Sequence, residues 1–220
     1  VMSDNAHAII VTGAGRGIGR AISMELARSG HAVVLAARTG AQIEAVAQEI
    51  IDDAEVRKRG GTALAIPVDV TVQEAVEAAV EQTAATFGGI RALVNNAGRF
   101  ETIGPTWETD PDRFWGDITI NVRGPYLLCR AVIPRMLEAG DGTIINMIGG
   151  GTGNPNPYGN AYGTSKAALM RFTETLAAEL KEHGISVFAT NPGLVRTEMT
   201  EYQLISEEGK QWMQRIAKAF

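Results

Sequence analysis

The sequence predicts a single α/β domain in which a doubly wound parallel sheet lies between two layers of helices. Short apolar runs rich in β-branched residues alternate with helical patterns along the chain, as in a parallel sheet whose crossovers are helices. The 220 residues suffice for one large core, and no linker or internal repeat divides them. We therefore expect one domain over residues 1–220, with strand order 3-2-1-4-5-6 and three α/β/α layers.

The alternation places strands and helices in turn from the N-terminus. The predicted strands are Ala8–Val11, Ala32–Ala36, Ala63–Val68, Ala92–Asn95, Thr143–Met147 and Ser186–Thr190. The predicted helices are Arg16–Ser29, Gly40–Arg59, Val72–Phe87, Asp112–Glu138, Tyr162–His183 and Ser206–Ala219. In such a sheet, ligands bind at the carboxyl ends of the strands, near the point where the strand order reverses.

A glycine-rich turn follows the first predicted strand and leads directly into the first helix. The turn reads Thr12-Gly13-Ala14-Gly15-Arg16-Gly17-Ile18-Gly19, with the spacing T-G-x-x-x-G-x-G. Glycines let the backbone turn sharply and approach a pyrophosphate, while the helix N-terminus offers unpaired amides and a partial positive charge. The strand–turn–helix order therefore favours a dinucleotide site over an ordinary flexible loop.

Tyr162 and Lys166 are four residues apart on one predicted helix, so their side chains reach the same place. A phenol titrates near pH ~10 and an ammonium near ~10.4, so neither alone is a good acid or base at neutral pH. A lysine cation beside the ring is expected to favour the phenolate and to improve the tyrosine as a proton donor and acceptor. The alternative is a buried ring beside a solvated lysine.

Further landmarks occur in the same order along the chain: Asn95-Asn96-Ala97-Gly98, Asn121, Tyr162-Gly163-Thr164-Ser165-Lys166 and Asn191-Pro192-Gly193. From Ile9 to Thr197 the chain resembles the short-chain dehydrogenase/reductase family, the short single-domain type. The resemblance implies a Rossmann-type fold and an oxidoreductase that interconverts a small-molecule carbonyl and a secondary alcohol by hydride transfer. It also implies a homodimer or homotetramer.

The resemblance assigns roles residue by residue. Tyr162 is expected to be the acid/base, Lys166 to tune it and bind the cofactor ribose, and Asn121 to hold a water that completes a proton relay. Residues from Glu198 onward are expected to form a mobile lid. The expected cofactor-binding residues are Gly13, Gly15, Arg16, Gly17, Ile18, Gly19, Arg38, Asp69, Val70, Asn95, Ala97, Gly98, Tyr162, Lys166, Pro192, Gly193, Val195 and Thr197.

Two arginines favour NADP(H) as the cofactor. Enzymes that prefer NAD usually present an acid to the ribose hydroxyls after the second strand, where this sequence has Ala37 and Arg38. A guanidinium binds a 2′-phosphate through a fork of donors, and Arg16 in the glycine turn could reach the same group. We expect NADP(H) to be preferred, with NAD(H) possible. The alternative is that both arginines are solvated surface residues.

One position departs from the family pattern. Relatives usually present a serine thirteen residues before the catalytic tyrosine, to donate a hydrogen bond to the substrate oxygen. Here that position is Gly149, which offers no hydroxyl. We expect Thr152 to be the replacement donor, with Asn154 as a second candidate.

Composition excludes several other functions. The net charge is −5 and the basic residues are scattered, so the sequence shows no basic patch that would bind nucleic acid. No apolar run approaches the ~20 residues needed to cross a bilayer, and no metal-ligand spacing is present. The lone Cys129 on an apolar stretch predicts packing rather than a reactive thiol. We expect no membrane, nucleic-acid or metal partner and a cytoplasmic location.

Two expectations concern the end of the sequence and its function. Similar family members usually carry a further helix and a seventh strand, so we expect this C-terminal part to be missing here rather than naturally absent. Arg99–Trp107, Asn154–Asn160 and Glu198–Phe220 are predicted to be variable, loop-like stretches that line the substrate site, so the sequence does not name the substrate. Loss of the serine leaves an alternative function, a catalytically impaired nucleotide-binding protein that acts as a sensor or scaffold.

Overall fold

A computed structural model describes residues 7–219, and it contains one six-stranded parallel sheet. The strand order β3-β2-β1-β4-β5-β6 confirms the predicted topology. The strands are β1 Ala8–Thr12, β2 Ala32–Ala37, β3 Thr62–Pro67, β4 Ile90–Asn95, β5 Gly142–Met147 and β6 Ile185–Thr190. The helices are α1 Gly17–Arg28, α2 Gly40–Asp52, α3 Ala54–Arg59, α4 Gln73–Phe87, α5 Pro111–Ile118, α6 Gly124–Ala139, α7 Asn160–Leu180, α8 Glu198–Ile205, α9 Glu207–Trp212 and α10 Gln214–Ala217.

Each strand sends alternate side chains to opposite faces of the sheet, where two hydrophobic cores form. On one face, Ile10, Val34 and Leu93 pack against α4, α6 and α7. On the other, Val33 and Leu35 pack against α1, α2 and α3. The central strands β1, β2 and β4 are therefore buried on both sides, and helices cover both faces of the sheet, which confirms the predicted three-layer architecture.

Three predicted helices are interrupted. Gly40–Arg59 divides at Asp53, because the Asp53 carboxylate accepts the amides of Glu55 (2.9 Å) and Val56 (3.1 Å) and so begins a new helix, α3. Asp112–Glu138 contains a π-helical turn at Thr119–Arg123, between α5 and α6. In the third, Ser206–Ala219, Met213 separates α9 from α10.

The prediction that Glu198–Phe220 is loop-like is wrong for its described part: Glu198–Ile205 forms α8, and the helix predicted over Ser206–Ala219 contains α9 and α10. Phe220 lies outside the described residues. Thr197 begins α8 through a capping box with Thr200. Within residues 7–219 no helix combines the length and apolar character that crossing a bilayer requires.

Candidate active site

A cavity of about 680 Å³ opens at the carboxyl ends of the strands, above β1 and β4. One end, which we call the cofactor end, is lined by the glycine turn, Arg38 and Asp69. The other, the catalytic end, is lined by Phe100, Ile148, Tyr162, Lys166, Met199, Tyr202 and Ile205. The structure thus brings the two sequence motifs together in one cavity.

The cofactor end is built mainly from backbone. Gly13 and Gly17 have positive φ angles of 64° and 53°, which L side chains rarely adopt. A Cβ on Gly19 would lie 2.2 Å from the Gly13 carbonyl oxygen, so glycine is required there for close packing of α1 on the turn. Among residues 7–219 no side chain caps the N-terminus of α1, and Arg16, Gly17 and Ile18 line the cavity. These unsatisfied amides and the glycine backbone suit an anionic pyrophosphate.

A threonine hydroxyl joins the glycine turn to the end of β4. Thr12, 1% exposed, accepts the amides of Asn96 (3.0 Å) and Ala97 (2.9 Å), and its Oγ1 lies 3.3 Å from the Val94 carbonyl oxygen. The Asn96 side chain donates back to the Thr12 carbonyl at 2.9 Å. Thr12 and Asn96 were not among the predicted site residues, although the threonine that precedes the first glycine is a usable signal.

Charged groups surround the far part of the cofactor end. Asp69 accepts the amide (2.9 Å) and hydroxyl (2.7 Å) of Thr71. Burial raises the pKa of Asp69, but the Thr71 hydrogen bonds and the charge of Arg38 outweigh it, so the pKa lies below its usual range. Arg38 is exposed and lines the cavity, whereas Arg16 forms an ion pair with Glu198 of α8.

At the catalytic end, α7 carries Tyr162 and Lys166 on one face. Lys166 is 4% exposed; its Nζ donates to the Met147 carbonyl at 2.8 Å and lies 5.5 Å from the centroid of the Tyr162 ring. Burial lowers the pKa of Lys166 to about 8 and raises that of Tyr162 to about 12. The sequence predicts a phenolate favoured by the lysine; in the structure burial dominates and favours the neutral phenol instead.

The side chain of Asn121 is committed to protein partners. It lies in the π-helical turn, accepts the Arg99 amide at 2.8 Å, and donates to the Arg99 carbonyl (2.8 Å) and to Ser165 Oγ (2.9 Å). Asn121 therefore fixes the chain that follows Gly98, beside Lys166, without lining the cavity. Its role in a water relay stays a prediction.

The structure does not place Thr152 where a substrate donor is needed. Its hydroxyl donates to the Gly149 carbonyl at 2.6 Å, which closes a turn of the chain, and it does not line the cavity. Asn154 is exposed and also lies outside the lining. Local hydrogen bonding holds the Thr152 hydroxyl in this turn, and its role as the replacement for the missing serine stays a prediction.

Four predicted cofactor-binding residues lie outside the lining. Gly19 packs beneath the turn, and Asn95 donates to Asn146 Oδ1 at 2.8 Å, which ties β4 to β5. Gly193 donates its amide to Asn191 at 3.0 Å, and the Val195 carbonyl accepts the Thr200 hydroxyl at 3.0 Å. The predicted residues that do line the cavity are Gly13, Gly15, Arg16, Gly17, Ile18, Arg38, Asp69, Val70, Ala97, Gly98, Tyr162, Lys166, Pro192 and Thr197.

Helices α8 to α10 cover the catalytic end, and the side chains that hold them are not among the predicted site residues. Met213 packs with Phe100 and Ile103, and Met199 and Tyr202 pack against this cluster. The hydroxyl of Tyr202 lies 2.6 Å from Glu208 and 2.9 Å from the Arg113 guanidinium. Among residues 7–219, no group of three or more His, Cys, Asp or Glu side chains could hold a metal ion.

Comparison with known proteins defines the class. A family model described as short chain dehydrogenase matches residues 7–208, and the chain belongs to this family of oxidoreductases. A short chain dehydrogenase of Monascus purpureus is 36% identical over 199 residues, which are 89% of this chain and 67% of that protein. The chain spans 60%, 64% and 40% of the length of short chain dehydrogenases of Pseudocercospora fijiensis, Monascus ruber and Aspergillus terreus, respectively.

Two solved structures show the same fold with different cofactors. A metagenomic short-chain oxidoreductase in complex with NADP is 36% identical, with a TM-score of 0.79 over 87% of this chain and 84% of that chain. An NAD+-bound xylitol dehydrogenase is 31% identical, with a TM-score of 0.84 over 98% of this chain and 85% of that chain.

Proposed function

We propose that the protein is an NADP(H)-dependent oxidoreductase that interconverts a carbonyl and a secondary alcohol. The observation that carries the proposal is a continuous cavity that runs from the glycine turn to Tyr162 and Lys166. A dinucleotide site and an acid/base pair are thereby brought within reach of one ligand.

The cofactor end supports NADP(H), with NAD(H) as a weaker ligand. Arg38 follows β2, Arg16 lies in the glycine turn, and Ala37 stands where an acid would repel a 2′-phosphate. One structural neighbour binds NADP and another NAD+, so the fold itself accommodates both. When bound, the nicotinamide would supply or accept the hydride.

Tyr162 is the proposed acid/base. Its raised pKa keeps the hydroxyl protonated at neutral pH, so Tyr162 Oη can donate a proton to a carbonyl oxygen during reduction. Lys166, buried on the same helix face, would hold its ammonium group toward the cofactor ribose and beside the ring. Asn121 would support both groups by fixing the neighbouring backbone.

The proposed substrate is an apolar small molecule. Beyond Tyr162 the cavity wall consists largely of Phe100, Ile148, Met199 and Ile205, with the Tyr202 ring among them. Such a wall binds through apolar contact. Glu101 and Glu201 also line the cavity and disfavour an anionic substrate, and Arg99 is already paired with Glu101 and Asp117.

A substrate panel tests the function. Apolar ketones and diketones, with matched charged keto acids as controls, are offered with NADPH and with NADH, and oxidation of the cofactor is followed by absorbance. We expect turnover of apolar carbonyls with NADPH ahead of NADH. NADPH binding without turnover of any carbonyl or alcohol would instead favour a catalytically impaired nucleotide-binding protein. The position of Thr152 outside the cavity lining is the observation that favours the catalytically impaired protein.

Two broader expectations belong to the same proposal: a homodimer or homotetramer, and a cytoplasmic location. Light scattering of the purified protein tests the first, and cell fractionation tests the second.

A further inference from the structure

The ring of Tyr162 is held at two places. One face stacks on Phe100, with ring centroids 4.4 Å apart and an interplanar angle of 7°. At the other place, the hydroxyl lies against Gly149: a Cβ built on Gly149 would lie 2.4 Å from Tyr162 Oη and 3.2 Å from Cζ. The hydroxyl therefore occupies volume that any side chain at position 149 would need.

Buried polar groups fix the segment that carries Phe100. The carboxylate of Asp117, fully buried, accepts the amides of Thr102 (2.9 Å) and Glu101 (3.2 Å) and pairs with Arg99 Nε at 2.9 Å. The side chain of Asn121 bonds both the amide and the carbonyl of Arg99, as described above. Phe100 is 7% exposed, so the segment holds its ring in a defined position.

We propose that Phe100 and Gly149 are positioning residues for Tyr162: Phe100 fixes the plane of its ring, and Gly149 leaves the volume that its hydroxyl fills. The proposal rests on the proposed function, in which Tyr162 is the acid/base. It also gives a physical reason for the glycine at a position where relatives usually present a serine. A serine at 149 and this placement of Tyr162 exclude each other.

The geometry sets the size of the effect. If a Cβ at position 149 lay 2.4 Å from Tyr162 Oη, one of the two groups would have to move by about 1 Å, since ordinary contacts begin near 3.4 Å. Misplacement of a catalytic group by ~1 Å can cost roughly 10²-fold in rate. Gly149 does not have a positive φ, so the expected loss comes from displacement of Tyr162 rather than from backbone strain.

A double-mutant cycle tests the pair. Gly149→Ala, Phe100→Leu and the double variant are compared with the wild type for kcat and KM on a carbonyl from the panel, and for NADPH affinity. We expect Gly149→Ala to lower kcat roughly 10²-fold and Phe100→Leu roughly tenfold, with NADPH affinity within about twofold. The double variant should lose less than the product of the two, because leucine leaves the tyrosine room to move away from the new methyl group.

Two further variants separate positioning from other effects. Ile50→Ala removes packing from the core that α1, α2 and α3 form with the sheet, which includes neither Phe100 nor Tyr162, so it should lower the melting temperature and leave kcat and its pH profile unchanged. Gly149→Ser should lower kcat as Gly149→Ala does. A rise in kcat with serine but not with alanine would overturn the proposal, because position 149 would then require a donor rather than space. The proposal would also be overturned if the loss of kcat in the double variant equalled the product of the losses in the two single variants.

A readout without turnover distinguishes this proposal from the proposed function. Ionisation of tyrosine is followed by ultraviolet absorbance as the pH is raised. The titration curve of Tyr162→Phe is subtracted from that of the wild type, and the curve of the Gly149→Ala, Tyr162→Phe double variant from that of Gly149→Ala. Each difference is the titration curve of Tyr162 alone. Displacement of the ring toward solvent should lower the titration midpoint in the Gly149→Ala background. An unchanged midpoint would overturn the positioning role even if no substrate were found, and absence of turnover alone would count against the proposed function only.

Discussion

The two ends of the cavity are built by different means. At the cofactor end, the glycine turn and the first residues of α1 form much of the wall, and the Thr12 hydroxyl ties this turn to the amides of Asn96 and Ala97, so the shape follows mainly from the backbone. At the catalytic end, the placement of Tyr162 depends on Phe100, Gly149 and the buried carboxylate of Asp117, which come from separate parts of the chain. The shape of a wall made of backbone depends on short local stretches of sequence. The shape of a wall made of side chains depends on packing between distant parts of the chain.

This difference explains how each end should respond to change. Substitutions at the cofactor end remove discrete hydrogen bonds or charges and should shift binding or stability by moderate amounts. Substitutions at the catalytic end disturb one titratable oxygen, that of Tyr162, on which the proposed reaction depends. The predictions below begin with that oxygen.

The largest effect is expected for Tyr162→Phe. Only the titratable oxygen is removed, so turnover should fall by ~10²–10⁴-fold, the usual contribution of a positioned acid/base. NADPH affinity should change little, because the ring and its stack on Phe100 remain. Steady-state kinetics and equilibrium titration with NADPH measure the two quantities. Substantial residual turnover would mean that another group is the acid.

The fold was predictable because its signals are local. Alternation of apolar runs with helical patterns gave the strand order, and the glycine turn marked the carboxyl end of β1. The break at Asp53 was missed because a cap inside a continuous apolar pattern changes only the backbone direction. Helix α8 was missed because its apolar residues do not form a clear stripe, and its start depends on a Thr197–Thr200 cap.

The site was predictable only in part, for the same reason. Tyr162, Lys166 and most glycine-turn residues line the cavity as expected. The position of Thr152 was not predictable, because a hydroxyl in a glycine-rich loop can equally point into the cavity or close a local turn. The raised pKa of Tyr162 follows from burial of its ring among Phe100 and its neighbours, which no spacing of residues in the sequence reveals.

Burial of Lys166 at the catalytic end should appear as a pH dependence of stability. Its pKa is lowered from 10.5 to about 8, so between these values the unfolded chain binds more protons than the folded one. The free energy of unfolding of the wild type relative to Lys166→Met should therefore rise with pH above about 8, by up to roughly 3 kcal/mol. Urea unfolding at pH 8, 9 and 10 measures the slope. Lys58→Met, at an exposed position, is the control and should give a flat difference.

At the cofactor end, Arg38→Ala should reduce the preference for NADPH. Loss of a charge-assisted hydrogen bond to a phosphate costs roughly 1.5–3 kcal/mol, which corresponds to a ~10–150-fold weaker affinity for NADPH. NADH has no 2′-phosphate, so its affinity should stay nearly constant. Fluorescence titration with both cofactors at moderate salt gives the ratio. Equal affinities of the wild type for NADPH and NADH would contradict the role given to Arg38.

Thr12→Val tests whether the cofactor end depends on the hydroxyl that joins the glycine turn to β4. The substitution keeps the shape of the side chain but leaves the Asn96 and Ala97 amides without their acceptor, so stability should fall by about 2 kcal/mol. Thr83→Val is the matched control, since the buried Thr83 hydroxyl bonds only the Ala79 carbonyl of its own helix and should cost less. If urea unfolding gave similar losses of stability for the two variants, the Thr12 hydroxyl would contribute no more than an ordinary buried hydroxyl.

The smallest effect is expected where the two ends meet. Glu198 of α8 pairs with Arg16 of the glycine turn, and both side chains are more than half exposed. If Arg16 also contacts the 2′-phosphate, the Glu198 carboxylate competes for it. Surface ion pairs are weak, so Glu198→Gln should raise NADPH affinity by only a factor of roughly two to five, and higher salt should shrink the gain. Glu201→Gln, on the same helix but paired with Arg196, should leave it unchanged. An equal gain for NADH, or the same gain from Glu201→Gln, would show that the carboxylate acts through the general field of the cavity rather than through Arg16.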